Sequence, residues 1–179
     1  ILFNPHVHYN RPIDLPDGPI IGYVGALWGS WFDIQLIIKL ASKYSNCNIV
    51  LIGEYNGQYD SLVPLNVHFI GLKPQHKLPV YLSHFKLGLI PFKVNKVTFG
   101  VNPLKVYEYL AMGLPVVSTN MPELQDMPNV FIAKDEEHFL YLVKAILDKN
   151  IKTTNIENWL MDNNWHSRVG KLLDLIIRN

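Results

Sequence analysis

Several things are scarce or missing in this sequence, and each shortage removes a class of protein. Cys47 is the one cysteine among 179 residues, so no internal disulfide can form and a reducing compartment is the natural setting. No apolar run approaches the roughly 20 residues that span a bilayer. There is no G-x-x-x-x-G-K-[ST], which disfavours P-loop hydrolysis, and no complete G-x-G-x-x-G, which disfavours a nicotinamide or flavin cofactor. A G-x-S-x-G elbow and a D-x-D metal anchor are also lacking. His6 and His8 stand without further ligands, so no metal site is expected. Net charge is small, at +1 from 16 basic and 15 acidic residues, which implies no general affinity for nucleic acid. The opening Ile1-Leu2-Phe3-Asn4-Pro5 has neither an initiator Met nor a signal-peptide layout. It reads as a point within a longer protein.

What is present is a regular alternation. Residues 1–19 hold Pro5, Pro12, Pro16, Gly18 and Pro19 with little periodicity, and are expected to be a linker or crossover. Ile20 to Val24 then reads as a buried strand. Asp33 caps a helix to Tyr44 with Ile34, Ile37, Ile38 and Ala41 on one face. Strands are expected at Asn48–Ile52, Val67–Ile70, Leu87–Ile90, Pro115–Ser118 and Val130–Ala133. Helices are expected at Pro79–Phe85, from Asn102-Pro103 to Met112, from Asp135 to Asp148, and at Trp165–Ile177. In the third of the chain's helices Asn102 is the expected N-cap, Pro103 the first residue and Gly113 the stop. Thr154 and Glu157 form a capping box for the next-to-last. Six apolar strands alternating with helices predict an α/β domain over 20–179, a doubly wound and mostly parallel six-stranded sheet. Such sheets bind ligands beyond the carboxyl ends of their strands.

Three features fall at those ends. From Ser61 to Tyr107, 47 residues, there is no Asp or Glu, yet six lysines: Lys73, Lys77, Lys86, Lys93, Lys96 and Lys105. Each either faces solvent or meets an anion, and Lys93 and Lys105 are the best placed for the second role. The helix opening at Asn102-Pro103-Leu104-Lys105 offers free amides and a positive dipole end that suit a diphosphate. Glu108, one turn on, either accepts from the two hydroxyls of a ribose or is simply solvated. The turn after the first strand, from Gly25 to Asp33, permits close approach of a phosphate or sugar. It also carries Trp28, Trp31 and Phe32, which either line a cleft or dock on the core.

Taken in order, these pieces resemble the C-terminal, nucleotide-sugar-binding domain of GT-B-fold glycosyltransferases. The resemblance is to the glycosyl transferases group 1 family (family 4-like) and covers roughly residues 20–177. It runs through the Gly25 turn, Val67-His68-Phe69-Ile70-Gly71, Leu78-Pro79-Val80-Tyr81-Leu82, the Pro91 loop and the Glu108 helix with Gly113-Leu114-Pro115-Val116-Val117. Asn164-Trp165-His166-Ser167-Arg168-Val169 resembles the family's closing helix. The family's E-x7-E motif ends on a glutamate that binds the donor ribose, and Glu108 matches it. The opening glutamate falls at Gly100, and the family's first-loop Arg and Lys fall near Ala26 and Trp31. The variant resembles a bacterial surface-polysaccharide branch of teichuronic-acid type.

The resemblance implies metal-independent transfer of a sugar from a nucleotide diphosphate sugar to an acceptor hydroxyl, with no cofactor. It assigns Lys105 and the Asn102–Leu104 backbone, with Pro103 as the first helical residue, to the phosphates, and Glu108 to the ribose. Gly71, Leu72 and Lys73 would flank the base, with Gly25 close by, and Pro91, Phe92, Lys93 and Thr98 would surround the sugar. The acceptor, a glycan or lipid-linked sugar, would belong to a missing N-terminal domain together with any catalytic base. This piece alone is then expected to be inactive. The setting implied is cytoplasmic, peripheral to the inner face of the membrane through that domain. A GT-B-fold sugar-nucleotide epimerase and a non-catalytic Rossmann-like module are the alternatives.

Overall fold

A computed structural model of the chain describes residues 2–177. Six parallel strands form one sheet: β1 (Ile20–Val24), β2 (Asn48–Ile52), β3 (Val67–Phe69), β4 (Leu87–Ile90), β5 (Val116–Ser118) and β6 (Val130–Ile132). Their order is β3-β2-β1-β4-β5-β6. The chain thus builds outward from β1 in one direction, returns, and builds outward in the other. Helices α1 (Ile34–Lys43), α2 (Leu78–Leu82), α3 (Leu104–Ala111), α4 (Glu136–Leu147), α5 (Glu157–Asn163) and α6 (Trp165–Ile177) complete it.

Strand side chains alternate between faces, and here both faces are buried, which is why the strands read as unbroken apolar runs. Ile21, Tyr23, Ile49, Leu51, Leu87 and Leu89 join α1 and α4 residues such as Ile37, Leu40 and Phe139 on one face. Ile20, Val24, Val50, Ile52 and Ile90 join Leu82, Val106, Tyr109 and Leu110, from α2 and α3, on the other. The described residues before β1 form no helix or strand, though Leu15 is buried against this second layer.

The caps follow the sequence in part. Asp33 accepts from the Leu36 amide at 3.1 Å and Asp135 from the His138 amide at 2.8 Å. The Thr154/Glu157 capping box does not form. Thr154 instead pairs with Asn129 across the sheet edge, and Asn155 accepts from the Glu157 amide. An Asn one residue nearer the helix outcompetes the Thr. Helix α2 begins and ends earlier than expected, preceded by a 3-10 turn at Gln75–Lys77.

One seam deserves its physics. Strands β1 and β4 are in register only at Ile21↔Leu87 and Gly22↔Gly88. A Cβ on Gly22 would lie 1.7 Å from the Phe85 ring, and one on Gly88 2.5 Å from the Tyr109 ring. The paired glycines therefore make a slot that admits both rings onto the sheet. Beyond it the strands part, and the Val24 amide donates to the Tyr109 hydroxyl at 2.7 Å instead of to β4. Tyr109 is fully buried, and that burial pushes its phenol well above the usual range. Tyr109→Phe leaves the Val24 N–H unpaired in the interior, so stability should fall by about 1–3 kcal/mol. Urea denaturation of both proteins measures this; a change below about 0.5 kcal/mol would show that the bond contributes little.

Candidate functional site

The strand order reverses between β1 and β4, and in open α/β sheets that switch point is where a crevice opens. Two cavities lie there. The larger, about 430 Å³, sits beyond Ile90 and is bounded by Trp31, Phe92, Thr98 and the Asn102–Lys105 segment. The smaller, about 270 Å³, sits beyond Ile52 and is bounded by Glu54, Leu72, Lys73 and Gln75. Val24, Gly25, Ala26 and Lys105 belong to both, so the two form one trough with Lys105 on the shared wall. Glycine is required in its floor. A Cβ on Gly53 would meet the Gly25 carbonyl oxygen at 1.8 Å, and one on Gly25 would meet the Tyr23 hydroxyl at 2.5 Å.

The amino end of α3 differs from the expected capping. Pro103 is the N-cap, in an extended conformation, and no side chain caps the helix. Asn102 turns its amide instead to the Tyr107 hydroxyl, 3.1 Å away. The helix starts one residue later than expected, so the Asn102 side-chain oxygen is not at the capping position. The amides of Leu104 and Lys105, which precede any intrahelical acceptor, are left without a side-chain partner at the edge of the larger cavity. Lys105 Nζ lies 2.7 Å from Glu108 Oε2, and Gln75 Nε2 donates to Glu108 Oε1 at 3.0 Å. Glu108 is thus neither free nor simply solvated: its side chain is 12% exposed and both oxygens are engaged.

The other expected residues divide. Pro91, Phe92 and Lys93 are held by the loop after β1. The Asp33 amide donates to the Pro91 carbonyl at 2.9 Å, the Lys93 amide to that of Trp31 at 2.7 Å, and Phe32 bridges Phe92. Phe92 reaches the larger cavity, whereas Pro91 and Lys93 do not, and the Lys93 side chain is exposed. Thr98 lines that cavity, but its hydroxyl closes its own loop, donating to the Lys93 carbonyl at 2.6 Å and accepting from the Asn95 amide. The three aromatics separate: Phe32 is core, Trp31 is cavity wall, and Trp28 is half exposed and donates to Glu54 at 3.2 Å. Gly71 takes the left-handed conformation at φ 70° that ends β3, and sends Leu72 and Lys73 to the smaller cavity.

Two of the six lysines in the acid-free segment are paired. Lys73 meets Asp14 at 2.8 Å and Lys105 meets Glu108, while Lys77, Lys86, Lys93 and Lys96 are exposed. Both carboxylates lie outside Ser61–Tyr107, where a scan of local charge could not weigh them. Gln75, Asp14 and Glu54 were missed for a related reason, since only the fold brings them to the trough. Among the described residues no group of three or more His, Cys, Asp or Glu gathers as a metal site.

Burial raises the Asp14 carboxyl, but bonds from Lys73 and Tyr81 outweigh it and hold the pKa below its usual value. Lys73 is raised, chiefly by its bond to Asp14. A lowered acid stabilises the fold above its unfolded pKa of about 3.9 and loses that contribution as pH falls through the lower folded value. Asp14→Asn should therefore cost about 0.5–1 kcal/mol at pH 7, a partly screened pair. The difference from the unchanged chain should shrink below about pH 4. Thermal unfolding of the two proteins between pH 3 and 8 checks it; a difference independent of pH would remove the ion pair as its cause.

The model of the family described as Glycosyl transferases group 1 matches residues 18–149. TuaH of Bacillus subtilis (strain 168), provisionally named as a teichuronic acid biosynthesis glycosyltransferase, is 28% identical over 144 residues. That match covers 75% of this chain and 36% of TuaH. Sucrose-phosphate synthase from Thermosynechococcus elongatus superposes with a TM-score of 0.71 at 18% identity, over 95% of this chain and 50% of that one. HepE of Anabaena, solved in complex with UDP and glucose, gives 0.69 at 13% identity, over 89% and 48%. At such identities the likeness is one of fold, the Rossmann-like sheet of GT-B glycosyltransferases. The chain spans about a third of its curated relative's length and half of these solved chains. Matched by the family model over most of its length, this chain belongs to the glycosyl transferases group 1 family.

Proposed function

We propose that the chain is the donor-binding part of a glycosyltransferase that moves a sugar from a nucleoside diphosphate sugar to an acceptor hydroxyl, in surface polysaccharide synthesis. The observation that carries this is the trough at the switch point. Two cavities meet at Lys105, beside an uncapped helix start, with the Glu108 carboxylate one turn on. A nucleoside diphosphate sugar has the same three-part layout of base with ribose, charged link and sugar.

In this reading the base end lies over Gly71, Leu72 and Lys73 and the ribose hydroxyls donate to Glu108. The diphosphate faces Lys105 and the amides of Leu104 and Lys105, with Gly25 beneath. The sugar lies toward Phe92 and Thr98. Transfer breaks the bond from the anomeric carbon to the β-phosphate oxygen and forms one to the acceptor oxygen. Negative charge then grows on the departing diphosphate. Fixed amides and a fixed cation aimed at that charge lower the barrier without reorganising. No metal or cofactor has a role in this scheme. Acceptor binding and any catalytic base are assigned to a region that the longer relatives have and this chain does not span, so the chain alone should bind donor without turning it over. The names of TuaH and the ligands of HepE support the reading. No helix among the described residues is long and apolar enough to cross a membrane. Work at the inner face of a membrane would fall to the remainder of the protein.

Calorimetric titration of the chain with UDP, GDP and ADP at low salt should give heat with at least one. Lys105→Ala should weaken that nucleoside diphosphate about tenfold or more while leaving the bare nucleoside nearly unchanged, since the nucleoside carries no charge for Lys105 to meet. Glu108→Gln should weaken both, because a charged acceptor contributes about 1.5–3 kcal/mol to each hydrogen bond. Exposed Lys86, at the amino end of β4, is the control and should change neither when replaced by Ala. No heat with any of the three ligands would remove the proposal.

A further inference from the structure

The larger cavity has a character that a pocket for a fully hydroxylated sugar does not need. Its walls are Trp31, Ile90, Phe92, Val97 and Val101, with Val24 and Ala26 below. Polar side chains reach it, but most already carry an internal bond. Tyr23 donates to the Ala26 carbonyl at 3.2 Å, Thr98 to the Lys93 carbonyl, Asn102 to Tyr107, and Lys105 to Glu108. A hydroxyl entering such a space gives up water and finds few partners, which is unfavourable. A methyl group entering it loses nothing.

The loop is shaped to keep this wall apolar. Gly29, at φ 91°, lies against the Trp31 ring, where a Cβ would come within 2.6 Å, and Trp28 packs edge-on at 5.2 Å between centroids. The backbone bond from Lys93 to Trp31 then pins the indole against the cavity. At about 430 Å³ the space is ample for one ring with a substituent, small-ligand sites running from about 300 to 1,000 Å³.

We infer that the sugar handled by this site carries a methyl-bearing group in place of a hydroxyl, an acetamido or a 6-deoxy group, and that the larger cavity receives that methyl. The inference rests on the proposed donor role, which places the sugar on the Phe92 side of Lys105. It concerns the sugar's chemistry and is independent of which base the smaller cavity prefers.

The test uses matched donors bearing whichever base gives heat in the titrations of free diphosphates. The N-acetylhexosamine and 6-deoxyhexose nucleotides are each compared with the plain hexose nucleotide by displacement calorimetry. One methylene in an apolar pocket changes affinity by roughly 10–200-fold, and for this half-open cavity a preference of about tenfold is expected. The arm that wins separates acetamido from deoxy. Val97 is 66% exposed on the wall, so Val97→Asn should fold normally. It should cut the preference to below about threefold while the free diphosphate binds as before. Equal affinities, or tighter binding of the plain hexose, would overturn the inference while leaving donor binding intact. Failure of every diphosphate to bind would remove the donor role itself, and the inference with it.

Discussion

The arrangement depends on a place where side chains are missing. Gly22 and Gly88 face each other across the seam between β1 and β4, and the slot they leave is filled by Phe85 and Tyr109. Tyr109 then fixes α3 in two ways, by ring packing in the slot and by accepting the Val24 amide at 2.7 Å. That amide is free because the strands part beyond Gly22, and parting is also what opens the trough. One constraint thus sets both the cavity and the helix that ends beside it. With α3 held from its second turn, Lys105 and Glu108, four and one residues before Tyr109, have little freedom to leave the trough's wall.

The charges follow from that placement. Lys105 and Lys73 are the basic side chains on the trough, and each has a carboxylate within 2.8 Å. Such pairs hold a flexible lysine in one position before any ligand arrives, which lowers the entropy lost on binding. They also reduce the net positive charge offered to an anion. Glu108 is shared between Lys105 and Gln75, so a ligand hydroxyl approaching it meets an acceptor that is already oriented. Precision has been favoured over raw attraction.

The sheet was readable because strands buried on both faces are continuous apolar runs. Asp33 and Asp135 were readable because a cap acts over three residues of chain. Four positions show where this stops. Asn102 has the right chemistry for a cap, but the helix takes Pro103 as its N-cap and the Asn102 amide donates to Tyr107. Glu108 resembled a solvated acid or a ribose ligand; its bond to Lys105 lies within α3, but its bond to Gln75 exists only once α3 and the loop after β3 are adjacent. Lys73 looked unopposed until Asp14, 59 residues away, was folded against it. Thr98 lines the larger cavity, yet its hydroxyl serves the loop, a bond that a motif cannot encode. Local rules succeeded for local interactions, and long-range polar pairing was invisible to them.

The loop after β1 gives the last step. Ala26 and Trp31 stand near the positions where the family resemblance expects Arg and Lys, and both line the larger cavity. Where cations were expected there is apolar wall. A diphosphate held here must therefore draw its compensation from the α3 end, one lysine and two amides, with Lys73 farther along. That is modest for a ligand carrying at least two negative charges in a trough whose rim also holds Glu54. Weak attraction for the free diphosphate and strong dependence on what sits in the apolar part are two faces of the same substitution. In the proposed donor role, apolar side chains in place of cations would move the source of affinity from the charge of the link toward the shape and polarity of the sugar. If donors bind here as proposed, such a site would discriminate among them more sharply than it retains the nucleotide they share.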